Sequence, residues 1–305
     1  MKLYAISGYE QFRCLMSRCT HTCCAGWEID IDGDTLACYR RTGGAIGKKL
    51  REKIDWEAGC FRLEADERCP FLTENGLCEL IMTLGDNSLC QICADHPRYR
   101  SFLPGRIEIG LGLCCAAAGR LLLTREEKTG LVLLEDDGQP EEEDGAFLQW
   151  REKLLAIAQD RTLPMTERAD RLLACAGMDA AVCPEKWAAE LQGLERLDPA
   201  WDVCLARLNQ PERPVDARWE VSLEQLMVYL LYRHLPAGLE DGDFAGHLAY
   251  CVVMWRLLLH MFSHDQTMDG LVETARLYSS EIEYSDENVM AVMDSIDRRM
   301  RKGMI

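Results

Sequence analysis

Residues 12–27, FRCLMSRCTHTCCAGW, place Cys14, Cys19, Cys23 and Cys24 within eleven positions. Thiols gathered this tightly have three chemical explanations: a disulfide framework, inert packing, or thiolate ligation of a metal or iron–sulfur cluster. The remaining cysteines help to decide. Of 16 in the 305-residue chain, twelve fall between residues 14 and 115, and only Cys175, Cys183, Cys204 and Cys251 come later. Cysteine used as a small apolar filler scatters over helical core faces, as those last four do and the first twelve do not. The N-terminal stretch MKLYAISGYEQF lacks the apolar segment of a secretory leader. A cytoplasmic, reducing location is therefore expected, and lasting disulfides are rare there. Metal ligation is the favoured chemistry.

Ten of these twelve, all but Cys38 and Cys60, form the pattern Cys14-x4-Cys19-x3-Cys23-Cys24, Cys69-x8-Cys78, Cys90-x2-Cys93 and Cys114-Cys115. Zinc takes four ligands in a tetrahedron, often from two C-x2-C pairs, and only Cys90 and Cys93 have that form. Neighbours such as Cys23 and Cys24 point apart, so one can ligate while the other faces the core. An iron–sulfur cluster draws thiolates from separate loops more readily and is favoured here, with zinc as the alternative. His21 and His96 lie close in sequence, although a packed or solvated histidine is commoner than a ligand.

The elements that must position these thiols read as follows. Residues 1–115 are loop-rich. Residues 27–32 alternate apolar and acidic side chains and predict a short strand ended by Gly33. Short helices are expected over 35–41 and 46–53, either side of Gly43-Gly44. Cys69 and Cys78 flank the turn signal Glu74-Asn75-Gly76, and a helix beginning near Leu80 should stop at Gly85. Residues 107–123 pass from a strand pattern to an apolar helix, with Cys114 and Cys115 at the junction. A helix N-terminus favours thiolate there; two small residues in a tight spot explain the pair equally well.

The acidic run 135–145, EDDGQPEEEDG, reads as a solvated linker. It would divide a cysteine-rich domain, 1–134, from a helical domain, 146–305. The apolar period of the latter predicts helices over 146–160, 165–176, 184–196, 199–208, 222–234, 243–263, 266–284 and 286–301, with Ser222 and Ser285 as N-caps. The expected fold is mainly α, a cysteine-rich loop and short-strand N-terminal domain on a C-terminal helical bundle. The apolar stretch 248–262 is interrupted by Arg256 and His260 and reads as a buried helix, not a membrane span. A formal charge of −17 argues against nucleic-acid and membrane partners and favours a basic or neutral protein.

The run F-x-C-x4-C-x3-CC-x2-W, from Phe12 to Trp27, resembles the opening of the flagellin lysine-N-methylase family, which is related to a wider group of cysteine-rich zinc- or iron-chelating domains. Cys69-Pro70-Phe71-Leu72 with Gly76-Leu77-Cys78 and Cys93-x3-Pro97-Arg98 resembles its second block, and Cys115-x4-Arg120-Leu121-Leu122-Leu123 its third. Tyr232-Arg233-His234 and the run YSSEIEYSDEN over 278–288 are similar to its two C-terminal signatures. The chain departs at Ala116 and Ala117, where the family has Pro-Glu, and at Ser280 and Tyr284, where it has arginine and histidine.

The resemblance implies methyl transfer from S-adenosylmethionine to lysine side chains of flagellin, and an iron–sulfur cluster of the 4Fe–4S kind, with zinc as alternative. The ligands it implies are Cys14, Cys19, Cys23, Cys24, Cys69, Cys78, Cys93 and Cys115. Such a reaction needs a neutral amine in line with the sulfonium methyl, from a lysine whose pKa starts near ~10.4. Tyr9, Tyr278, Glu281 and Glu283 are chemically able to assist, but on one helix Glu281 and Glu283 cannot share a face, so one of them is expected at solvent. No strand runs into G-x-G-x-x-G, and no C-x3-C-x2-C triad for radical chemistry is present. The cluster is then either structural or an aid to cofactor binding. The competing reading is a non-catalytic iron–sulfur or zinc module that docks a partner protein.

Overall fold

The strands of this computed structural model, which describes residues 1–138, 145–178 and 182–301, are short: β1 (Lys2–Ile6), β2 (Ile54–Asp55), β3 (Cys60–Phe61), β4 (Arg98–Leu103), β5 (Arg106–Leu111) and β6 (Leu131–Glu135). Helix dominates, as the apolar period predicts. The chain separates into two units, Arg13–Tyr99 and Met1–Phe12 together with Arg100–Ile305. Residues 100–134, expected with the cysteine-rich part, thus belong to the larger unit. The expected acidic linker falls mostly on 139–144, outside the described residues.

In the smaller unit the helices Gly33–Arg41 and Gly44–Lys53 form where expected and pack together. Asp32 starts the first: one carboxylate oxygen accepts from Thr35 N and the other from Gln91 N, each at 2.9 Å. The bond from Gln91, then those from Thr35, hold this carboxyl below its usual range. The helix start is thereby tied to the segment carrying Cys90 and Cys93. The strand expected over 27–32 does not form. Ile29 and Ile31 do turn into the core, but isolated bridges, Ala25 to Arg68 and Asp30 to Cys60, stand in place of a ladder, and alternation without a paired neighbour makes no sheet. Leu72 bridges to Cys78 across the predicted turn, where Gly76 takes a left-handed φ of 71°. The helix Glu79–Leu84 ends at Gly85 as expected.

The larger unit holds a four-stranded sheet in the order β4-β5-β1-β6. Strand β1 runs parallel to β5, with Lys2 opposite Arg106, and antiparallel to β6, with Tyr4 opposite Leu133. The helix Phe244–Ser263 is the centre of its core. By length and composition it could cross a membrane, but 83% of its apolar window is buried, against the helices Met165–Cys175, Ala200–Arg207, Glu220–His234, Met268–Tyr278 and Asp286–Met300. Ser285 caps the last of these by accepting from Asn288 N. Ser222 caps nothing: its helix begins at Glu220, which leaves Ser222 buried inside the first turn.

Two sets of charges fix the Glu220–His234 helix. Glu224, fully buried, accepts from Arg168 Nη1 at 2.7 Å and from Arg161 Nη2 at 2.8 Å. Arg168 spends further donors on the carbonyls of Ala158 and Leu163. Near the other end Arg151 grips Glu108 with two bonds of 2.7 and 2.5 Å, and its guanidinium lies 5.0 Å from the Tyr232 ring centroid. Buried charges persist where every donor finds an acceptor, and here they bring β5 and the helices Gly145–Ala158 and Met165–Cys175 onto one helix.

The helix expected to run over 266–284 is broken. After Tyr278 the chain widens into a π-turn, Ser279–Glu283, in which Tyr284 N bonds Ser279 O at 3.2 Å. Widened turns of this kind gather at functional sites.

Candidate functional site

In the smaller unit, Cys69 and Cys90 belong to the apolar core, and Cys24, Cys78, Cys93 and Trp27 pack against it. The five thiols feel one another: Cys69 is influenced by Cys24, Cys78 and Cys90, and Cys93 by Cys90, Cys24 and Cys69. A hydrogen bond shared by Cys90 and Cys93 holds the first thiol down and pushes the second up. Another, from Cys23, brings Cys24 down to about 7, with Arg68 as the cation bearing on it. Burial pushes Cys69 up to about 12. Five sulfurs in an apolar core cannot all ionise unless positive charge joins them, and a metal centre is the chemistry that supplies it.

Among the described residues no three His, Cys, Asp or Glu side chains are arranged to hold a metal ion. A Zn–S bond of ~2.3 Å would set four thiolates about 3.8 Å apart, and a multi-iron cluster holds its thiolates wider.

The other expected ligands are not part of that core, although Cys23 hydrogen-bonds Cys24. Cys14 is exposed and its sulfur accepts from Met16 N. The Cys19 thiol donates to the carbonyl of His21 at 3.0 Å. Cys23 is exposed, and its carbonyl receives the Trp27 indole N–H at 2.8 Å. Cys115 belongs to the larger unit. Cys90, which the family motifs did not bring into the ligand set, is 1% exposed at the centre of the group; the Cys90-x2-Cys93 spacing was its signal. His96 packs beside Trp27, and burial brings it down to about 4, so it is a neutral core histidine.

The larger unit gathers three separate stretches into one polar cluster. Glu283, at the end of the π-turn, receives the Tyr229 hydroxyl on Oε2 at 2.8 Å and lies 2.7 Å from His234 Nε2 through Oε1. The Tyr229 oxygen in turn accepts from Leu113 N at 3.3 Å, at the junction between β5 and the helix Ala116–Leu123. Tyr278 OH is 3.3 Å from His234 Nε2 and 3.0 Å from Tyr250 OH. Toward solvent stand Cys114, bonded to the Tyr284 hydroxyl, and Arg233, whose guanidinium lies 5.9 Å from the Tyr284 ring centroid.

Burial is the largest influence on His234 and lowers it, so the imidazole is neutral. For Glu283 burial works upward, while the hydrogen bond from His234 and the Arg233 guanidinium work the other way, and the balance lowers it below the ordinary carboxylate value. Burial pushes Cys114 up to about 12 and raises Tyr250, Tyr278 and Tyr284. Of the two readings of this junction, the buried, raised Cys114 thiol fits the packing one.

Both glutamates of the second C-terminal signature are buried, correcting the expectation that one faces solvent. Glu281 accepts from Leu197 N and Asp198 N, each at 2.8 Å, and works as a loop anchor. Glu283 faces His234. The π-turn is the reason both can be buried, since it breaks the ordinary helical spacing. Tyr9 lies in the short turn Tyr9–Gln11 after β1. Tyr229 and Tyr250 escaped the sequence reading because their helices look like plain apolar core.

No family model matches the chain, and no solved structure matches it. Among curated proteins it is 30% identical over 112 residues to the flagellar biosynthetic protein FliU of Salmonella muenchen, a stretch that covers 34% of this chain and 66% of FliU. It is 31% identical over 113 residues to the lysine-N-methylase of Salmonella typhimurium, covering 34% of this chain and 28% of that protein. A lysine-N-methylase of Salmonella choleraesuis is similar to the same degree. The matched stretch thus spans just under two thirds of FliU and little more than a quarter of either methylase.

Proposed function

From its relationship to the flagellin lysine-N-methylase family, we propose that the chain is a protein-lysine N-methyltransferase that uses S-adenosylmethionine and carries an iron–sulfur cluster. The observation that carries this reading is the meeting of two family-like stretches, the His234 segment and the Tyr278–Glu283 turn, in one buried polar site, beside the junction at Leu113 and Cys114 that leads into a third. Each buried polar group costs stability unless satisfied, and a neutral imidazole set against a buried carboxylate is the pairing that proton transfer uses.

Cys24, Cys69, Cys78, Cys90 and Cys93 supply the thiolates for the cluster, whose role when bound is to cross-link the loops of the smaller unit. Flagellin is the proposed substrate. A chain of formal charge −17 suits a lysine-bearing partner.

The test is methyl transfer by anaerobically purified protein, with iron and zinc content measured alongside. Brown protein that binds S-adenosylmethionine by calorimetry and transfers labelled methyl groups to flagellin lysines is the expected result. Colourless protein with stoichiometric zinc overturns the cluster, and absence of any heat with the methyl donor overturns the enzyme.

A further inference from the structure

We propose that His234, held by Glu283, is the catalytic residue that takes the proton from the substrate amine. The inference rests on the methyl-transfer reading and assigns the step that makes the amine nucleophilic.

The geometry fixes the direction of proton flow. Both Glu283 oxygens are committed, one to His234 Nε2 and one to the Tyr229 hydroxyl, and its side chain is fully buried. It cannot itself meet a ligand. The His234 side chain keeps 11% of its surface open. A carboxylate at Nε2 makes that nitrogen the N–H donor and leaves the lone pair on Nδ1. The ring is held in place by Tyr250, whose centroid is 4.7 Å away, and by the Tyr278 hydroxyl. A neutral imidazole with one free lone pair and a fixed carboxylate behind it is the arrangement that accepts a proton and stabilises the imidazolium formed. Glu283 and Tyr229 are positioning residues.

The step balances. A lysine ammonium gives one proton to His234 Nδ1 and becomes a neutral amine. Its lone pair attacks the sulfonium methyl, forming the N–C bond as the C–S bond breaks with its electron pair passing to sulfur. The thioether leaves neutral, the product is a methylammonium, and the imidazolium returns its proton to solvent. The other groups around the dyad are Tyr229 on its own helix, Tyr250 and His247 on Phe244–Ser263, Tyr278 and Ser279 on the following segment, and Cys114, Arg233 and Tyr284 on the outer side. Burial keeps the phenols of Tyr250, Tyr278 and Tyr284 and the Cys114 thiol protonated, and His247 is paired with Asp241. His234 is thus the member of the group that changes charge during turnover.

Two measurements test this. Nitrogen NMR of histidine-labelled protein should show His234 with Nδ1 unprotonated, and its signal should move when Nα-acetyl-lysine amide is added. In methyl transfer to flagellin, His234→Gln should lose at least about a hundredfold in rate, with thermal midpoint and S-adenosylmethionine binding retained, and Glu283→Gln should shift the acid limb of the pH–rate profile. A ring protonated at Nδ1, no response to the lysine probe, or His234→Gln activity within a few-fold of wild type overturns the assignment. If wild-type protein transfers no methyl groups, the methyltransferase reading fails, and the NMR result alone decides whether His234 receives an amine.

Discussion

Replacing Glu224 by alanine should loosen the helix that carries Tyr229 and His234. Arg168, 2% exposed, would keep its two carbonyl contacts and a longer, 3.4 Å pairing with the partly exposed Glu220, and lose its close charge partner inside the core. Arg161 is 36% exposed and can turn to water, so its share is at most about 1 kcal/mol. Breaking a buried pair while leaving the other charge costs ~3–5 kcal/mol. In a unit of roughly 220 residues each kcal/mol moves the midpoint by about 2–4 °C, so Glu224→Ala should lower the transition of the larger unit by about 10 °C. Circular dichroism on heating, with urea unfolding as a second measure, reads this directly. The double replacement Arg168→Met with Glu224→Leu should recover much of the loss, because no unpaired charge is then buried. A single mutant melting within about 2 °C of wild type, or a double mutant no better than the single, would refute the claim that this network anchors the helix.

Cys69→Ser and Cys93→Ser should each remove iron from the purified protein and destabilise the smaller unit, whereas Cys14→Ser and Cys175→Ala should keep full iron content; equal loss in all four would mean the ligand set is misassigned. His96 gives a pH signature. Its folded pKa of about 4 lies below the unfolded ~6.5, so the smaller unit is fully stable above ~6.5 and loses about 3 kcal/mol as pH falls to about 4, the unfolded chain taking up the proton first. His96→Gln should flatten the fall in urea midpoint between pH 7 and 4.5, and an unchanged slope would clear this residue of the effect. Ser285→Ala removes the cap on Asn288 N and should cost about 1 kcal/mol, read from the same urea curves; no change there would show that another group satisfies that end.

Helix periodicity made most of the larger unit legible, and the buried character of the apolar stretch over 248–262 could be read from its length and its Arg256 and His260 interruptions. What escaped was non-local. Strand β1, KLYAI, is too short to announce itself and exists because β5 and β6, about a hundred residues away, pair with it on either side. The expected strand over 27–32 had the right alternation but found no ladder partner. Cysteine density marks the region, yet which thiols converge depends on how the loops fold: Cys90 enters the group while Cys14 and Cys19 are not part of it. A π-turn leaves no mark in a helical period, so the pairing of Glu283 with His234 could be seen only in three dimensions.

The departures from the family pattern bear on the same site. Ser280, Ala116 and Ala117 are partly exposed and Tyr284 is half exposed, so all four are outer positions. None of them bonds the Glu283 carboxylate, which is held by Tyr229 and His234. The arginine and histidine that the resemblance calls for at 280 and 284 would therefore alter the rim, while the buried dyad keeps its geometry without them. Tyr284 replaces a group that titrates near neutrality with a phenol that burial and the neighbouring Cys114 keep protonated. On the proposed methyltransferase reading, the changes at 280 and 284 would alter which lysine-bearing segments are admitted more readily than the chemistry performed on them.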